Sequence, residues 1–281
     1  MDRAPEEPRS LLQKIFISPG ESRLRAGWRL LFQSLLLGAI LVLLGLTANL
    51  GLGFLSDISY ASFLLLGALV TSLAITFSVY IARRYIDQRS FTSLGLQVDS
   101  HTLVDILFGI GLTGLMMGLI FLILWALNWI QIKSFAWQVE SWGNVAASIL
   151  VMVVLFTFVS WQEELLMRGY WLQNLSEGLS QSLGVLLSSA FFALAHWFNP
   201  NLDWLGLLGL FSAGLFLAYG YLRTRQLWLP IGLHLGWNFF EGTLFGFPVS
   251  GQYQYQLIRQ TVTGPELITG GSFGPEAGLI L

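Results

Sequence analysis

Apolar residues dominate the chain in long blocks, and the few polar interruptions mark where it turns. Runs of 18 or more apolar residues read as transmembrane helices. Spans are predicted over about Trp28–Leu52, Tyr60–Ala82 and Leu103–Trp129. A fourth apolar run starts near Val145, reaches Glu163 and continues as helix to about Asn174. Glu177-Gly178-Leu179-Ser180 stops that helix and starts the next, which runs from about Gln181 to Trp197 and ends at Asn199-Pro200-Asn201. Further spans follow at about Leu202–Leu222 and Leu229–Phe245. The Gly/Pro-rich tail, 247–281, reads as irregular, with breaks at Gly270-Gly271 and Gly274-Pro275. It ends on Gly-Leu-Ile-Leu, as if an eighth, truncated helix were beginning. The expected fold is therefore all-α, a polytopic transmembrane helix bundle of seven spans plus that eighth. Residues 1–26 form a cytoplasmic amino-terminal segment, and 27–281 form one membrane-embedded domain with its core at about 145–246.

Composition agrees. Hydrophobic residues make up 54% and charged residues only 11% of 281, against about 25% charged in soluble domains; mean hydropathy is +0.67. A net charge of −2 says nothing about nucleic acid, no basic cluster suggests a polyanion partner, and the absence of cysteine excludes disulfides and thiolate chemistry. The mixed-charge first 25 residues have no early apolar core and are no cleaved signal peptide. A short patch there, Leu11, Leu12, Ile15, Phe16 and Ile17, fits a membrane surface.

Lysine and arginine placement sets the orientation. Arg3, Arg9, Lys14, Arg23, Arg25 and Arg29 precede or open the first span, Arg83, Arg84 and Arg89 follow the second, and Arg223 and Arg225 follow the sixth. The loop after the third span has only Lys133. This puts the amino terminus, and the turn near Gly178, in the cytoplasm.

Three spaced sets break the apolar pattern. Glu163 and Glu164 lie side by side with Arg168 four residues after the second acid. An acid in hydrocarbon costs about 2.5–3.5 kcal/mol on insertion scales. Glu164 and Arg168 can pair on one helix face, whereas Glu163 points about 100° away and is left free. Phe192 precedes His196 by four residues, and His234 precedes Asn238 by four, so each pair shares a face. If the fourth and fifth helices form a hairpin at Gly178, Glu163 and His196 fall within about 5 Å of one depth. A carboxylate and an imidazole there could activate water, directly or through a metal ion. His234 and Asn238 suit a further ligand position or an oxyanion site. Convergence requires that the fourth and fifth helices protrude from the bilayer or that the fifth stops short. Taken singly, each feature has a structural reading: an ion pair for Glu164–Arg168, a hydrogen-bonded core histidine, helix–helix contact for Asn238. Phe192 reads as packing. Glu241, seven residues beyond His234, either lines the same cavity or snorkels as a structural acid. His101, beside Asp99, reads as solvated helix-start chemistry.

In order and spacing these sets resemble the signature of the CPBP intramembrane protease family, also called ABI, which includes the type II CAAX prenyl endopeptidases. The resemblance covers about residues 90–280, including Ser93-Leu94-Gly95-Leu96 and the Gly270–Glu276 tail. It implies an eight-helix bundle with a membrane-embedded cavity and an endopeptidase acting on membrane-associated peptides or proteins, lipid-modified ones included. It implies Glu163 as general base assisted by His196, His234 and Asn238 as oxyanion donors, and Glu164 and Arg168 as organisers. The family is usually labelled metalloprotease; Glu163, His196 and His234 would be the ligands of one zinc ion, and a metal-free glutamate mechanism is the other implied route. A prokaryotic plasma membrane is the expected setting. The readings from other classes are a transporter or proton relay built on the same buried groups, and a non-catalytic immunity or scaffold protein.

Overall fold

The computed structural model describes residues 10–19, 21–52 and 59–281. A capping box between Ser10 and Gln13 opens the short helix α1, Leu11–Phe16. Its apolar side chains Leu11, Leu12, Ile15 and Phe16 are exposed. Helices α2 (Ala26–Leu52) and α3 (Tyr60–Ile81) follow, and a wide π turn, Ala82–Ile86, ends α3. Helix α4, Thr102–Ala126, leads to strand β1, Ile130–Phe135, and the single-turn α5, Ala136–Val139.

Next comes the longest element. Ser141 caps α6, Trp142–Glu164, by accepting from the Asn144 amide. A π-helical turn, Leu165–Trp171, joins it to α7, Leu172–Gly178. The apolar helix Trp142–Gly178 is 37 residues long, about 55 Å at 1.5 Å per residue, against a hydrocarbon core of about 30 Å. Helix α8, Gln181–Ala195, returns from the Ser180 cap and stops after 15 residues. Asp203 caps α9, Trp204–Thr224, and α10 runs over Trp228–Asn238 before a π turn, Phe239–Leu244.

Among the described residues five helices are long and apolar enough to cross a membrane, Ala26–Thr47, Ala61–Ile86, Thr102–Ala126, Trp142–Gly178 and Trp204–Thr224, fewer than the expected seven. The two others, α8 and α10, have 15 and 11 residues, short of the roughly 20 that a span needs. Nor is the fold purely helical or the tail an eighth helix. Strand β2, Ile258–Val262, pairs antiparallel with β1, Ile130 opposite Val262. Beyond it lie α11, Glu266–Thr269, and a 3₁₀ turn, Pro275–Ala277. The end of the tail docks on α11, with the Leu279 and Ile280 amides donating to the Leu267 and Ile268 carbonyls.

Two packing facts position the site. Helix α10 lies hard against α4, where a Cβ at Gly232 would stand 2.4 Å from the Ile106 carbonyl oxygen, so only glycine lets the backbones approach this closely. A Cβ at Gly209 on α9 would stand 1.6 Å from the Glu276 carbonyl oxygen, so glycine is also what seats the tail on α9. At the arginine-rich end, Glu177 accepts from Arg23 and Arg29, both at 3.0 Å. Asp87 pairs with Arg83 at 2.9 Å and accepts from the Tyr170 hydroxyl at 3.0 Å. These partners tie α2, the end of α3 and α7 together around Val79, Leu165, Leu172 and Leu227. Nearby, the Arg23 guanidinium bonded to Glu21 holds that carboxyl below its ordinary range.

Candidate active site

The two adjacent acids part company as their angular separation on the helix requires. Glu164 is fully buried and its Oε1 accepts from Arg168 Nη1 at 2.9 Å. Arg168 Nη2 donates to the Gly214 carbonyl on α9 at 3.0 Å, and the guanidinium lies over the Phe192 ring, 4.4 Å from its centre. The π turn begins directly after Glu164, yet this four-residue pair survives inside it. Such wide turns recur at functional sites, and no local sequence pattern announces this one.

Glu164 has a second partner. His234 Nδ1 lies 2.9 Å from Glu164 Oε1, so the carboxylate held by Arg168 also accepts from the imidazole. His196 Nδ1 lies 2.8 Å from the Phe192 carbonyl, which can only accept. With both Nδ1 atoms engaged as donors, both Nε2 atoms point the other way. Each lies 3.9 Å from Glu163 Oε2, a buried oxygen without a hydrogen-bond partner among the described residues. Phe192 packs between, its ring centre 5.0 Å from that of His196 and 6.0 Å from that of His234.

The depth problem posed by the sequence is solved in both ways at once. The α6–α7 helix is far longer than a bilayer is thick, and α8 stops at Ala195, leaving His196 as its cap. Helix α10 can then deliver His234 within two turns of its start.

These groups open into one cavity of about 800 Å³, lined by Glu163, His196, His234 and Asn238 and by apolar side chains such as Leu64, Phe156 and Phe216. Asn238 contributes its amide there, with no hydrogen bond to another described residue. Glu241 follows neither expected course: it is fully buried, so it does not snorkel, and it lies outside the cavity lining. Both its oxygens lack hydrogen-bond partners among the described residues. His101 is exposed, and its amide donates to Asp99, as a helix start should.

The sequence reading gave no role to the tail residues that close this cavity. Glu276 reaches the lining, its Oε2 accepting from the Ser250 amide at 2.9 Å and hydroxyl at 2.7 Å. Asn199 Nδ2 donates to the Ser250 carbonyl at 3.0 Å. The sequence hint is an acid within a Gly/Pro-rich stretch, and that is weak.

Residues 144–240 match the family model described as type II CAAX prenyl endopeptidase Rce1-like. This segment, and not the whole chain, is what is similar to that family. The matched segment contains all three spaced sets, from Glu163 to Asn238, and is consistent with a CPBP-family protease. No curated protein and no solved structure matches the chain. This similarity and the long apolar helices point to an integral, multi-pass membrane protein.

The expected zinc ligands fit less well than their clustering suggests. Among the described residues no three His, Asp or Glu side chains are grouped to hold a metal ion. Ligands about 2.0–2.1 Å from a tetrahedral zinc stand about 3.3 Å apart, whereas Glu163 Oε2 is 3.9 Å from each Nε2. The residues as placed do not fit the metal, and no step below runs through one.

Proposed function

We propose that the chain is an intramembrane endopeptidase that hydrolyses membrane-associated peptides or proteins with a water activated by Glu163. One observation carries this: an unpartnered buried carboxylate oxygen faces the Nε2 atoms of two histidines whose Nδ1 atoms are already engaged. A separation of 3.9 Å is too long for a direct hydrogen bond and suits a bridging water with bonds of about 2.8 Å.

In this reading Glu163 Oε2 takes a proton from the water, and the oxygen attacks the substrate carbonyl carbon. His196, locked by the Phe192 carbonyl, accepts a hydrogen bond at Nε2 and orients the water. The tetrahedral oxyanion accepts from Asn238 Nδ2 and His234 Nε2. To donate from Nε2 as well as Nδ1, His234 must carry both protons, and Glu164 is the group that supports that charge. The proton held by Glu163 passes to the leaving nitrogen, the C–N bond breaks, and a carboxylic acid and an amine leave. The apolar walls suit a hydrophobic or lipid-modified segment of substrate. The arginine-rich end, and with it the amino terminus, faces the cytoplasm of a prokaryotic plasma membrane.

Purified wild-type protein compared with Glu163→Ala and His234→Ala, assayed for cleavage of a membrane peptide library and for bound metal, tests the reading. Both variants should lose activity. Cleavage by Glu163→Ala at the wild-type rate overturns it, and stoichiometric zinc that disappears with His234→Ala replaces the direct water mechanism with a metal one.

A further inference from the structure

The permanent charge of the cavity wall is one-sided. Two ionisable acids, Glu163 and Glu276, line it together with the histidines His196 and His234, and lysine and arginine are absent from its described lining residues. The nearest arginine of the site, Arg168, is 1% exposed and spent on Glu164 and the Gly214 carbonyl. The remaining polar lining is neutral and includes Gln162, Asn199, Gln252 and Gln254.

Glu276 is a built feature of this wall. It is 5% exposed, Ser250 holds its Oε2 through two hydrogen bonds, and Oε1 has no hydrogen-bond partner among the described residues. Behind it lies a third buried acid, Glu241, whose Oε1 is 3.3 Å from where a Cβ on Gly274 would be. A buried carboxylate is stabilised by an opposite charge and disfavoured by a like one. A CAAX box is a carboxyl-terminal motif, so a substrate carrying one ends in a free carboxylate close to the scissile bond. This cavity offers that carboxylate two acids and no lysine or arginine.

We propose that Glu276 is a specificity-determining residue that receives a cationic group of the substrate, the ammonium of a lysine or chain terminus or the guanidinium of an arginine, next to the scissile bond. This rests on the protease reading for its context. The substrate segment in the cavity is then an apolar stretch carrying a basic group.

The test is binding, so that it does not depend on cleavage. Two apolar peptides of one length carry a ketomethylene in place of the central amide, one with lysine and one with norleucine beside it. The full chain in detergent should bind the lysine peptide about tenfold more tightly, a difference of about 1.4 kcal/mol. In Glu276→Gln the two peptides should bind alike, at the wild-type affinity for norleucine, which also reports that the variant is folded. Acetylating the lysine, measured on wild type alone, should remove the advantage as well. Equal binding of both peptides to wild type, or a preference that persists in Glu276→Gln or after acetylation, overturns the proposal. If the preference appears but neither amide counterpart is cleaved, the protease reading fails and the cation site stands.

Discussion

His234 Nδ1 meets Glu164 Oε1 at 2.9 Å, joining α10 to the end of α6 through a carboxylate that Arg168 also holds. Residues 70 apart in the chain thereby act as one unit. One face of the imidazole is committed to the scaffold, and its Nε2 faces the cavity beside Glu163.

This arrangement separates the two glutamates experimentally. Glu163→Gln removes a carboxylate that makes no direct hydrogen bond, so its thermal unfolding in detergent should match wild type while turnover falls by about 10³-fold or more. Glu164→Gln leaves Arg168 buried without a counter-charge and should lower stability by about 3–5 kcal/mol as well as activity. Parallel melting curves and rate measurements on the two variants check the contrast.

Asn238 has no structural hydrogen bond to lose among the described residues. Asn238→Ala should therefore lower kcat by about 10²–10³-fold, the usual cost of one oxyanion donor, with little change in KM or melting temperature. A large KM effect would assign the amide to substrate binding instead.

Arg168→Lys should behave as a disruptive change. Lysine cannot reach Glu164 and the Gly214 carbonyl through a planar fork or stack on Phe192 in the same way. Stability and turnover should both fall, and partial rescue of neither by raised salt would distinguish this buried pair from a screened surface one.

Gly232→Ala probes the contact that places α10. With a Cβ 2.4 Å from the Ile106 carbonyl oxygen, α10 must move off α4 or the backbone must strain, at about 1–3 kcal/mol. Because His234 is two residues further on, turnover should fall more than the melting temperature alone explains. Kinetics measured well below the melting point check this.

Much of the site was legible in the chain. Acids in an apolar run are costly enough to need a reason, and four-residue spacings put Glu164 with Arg168 and His234 with Asn238 on shared faces before any coordinates were known. Helix starts at Ser180 and the break at Asn199-Pro200 were legible too, since side-chain caps and proline act locally. The lengths of α8 and α10 were less legible, because hydropathy registers apolar length but not where a helix stops or widens into a π turn.

The sequence by itself determined that the chain is a membrane-embedded helical protein and which polar residues interrupt it, because burial in hydrocarbon is read directly from composition and period. Tertiary structure alone decided that His234 would turn to Glu164 and leave its Nε2 to Glu163, that the β1–β2 pair forms, and that Glu276 closes the cavity. Each depends on contacts between segments far apart in sequence, such as Gly232 on Ile106 and Gly209 on the tail, where close approach of two backbones, and no local preference, sets the geometry.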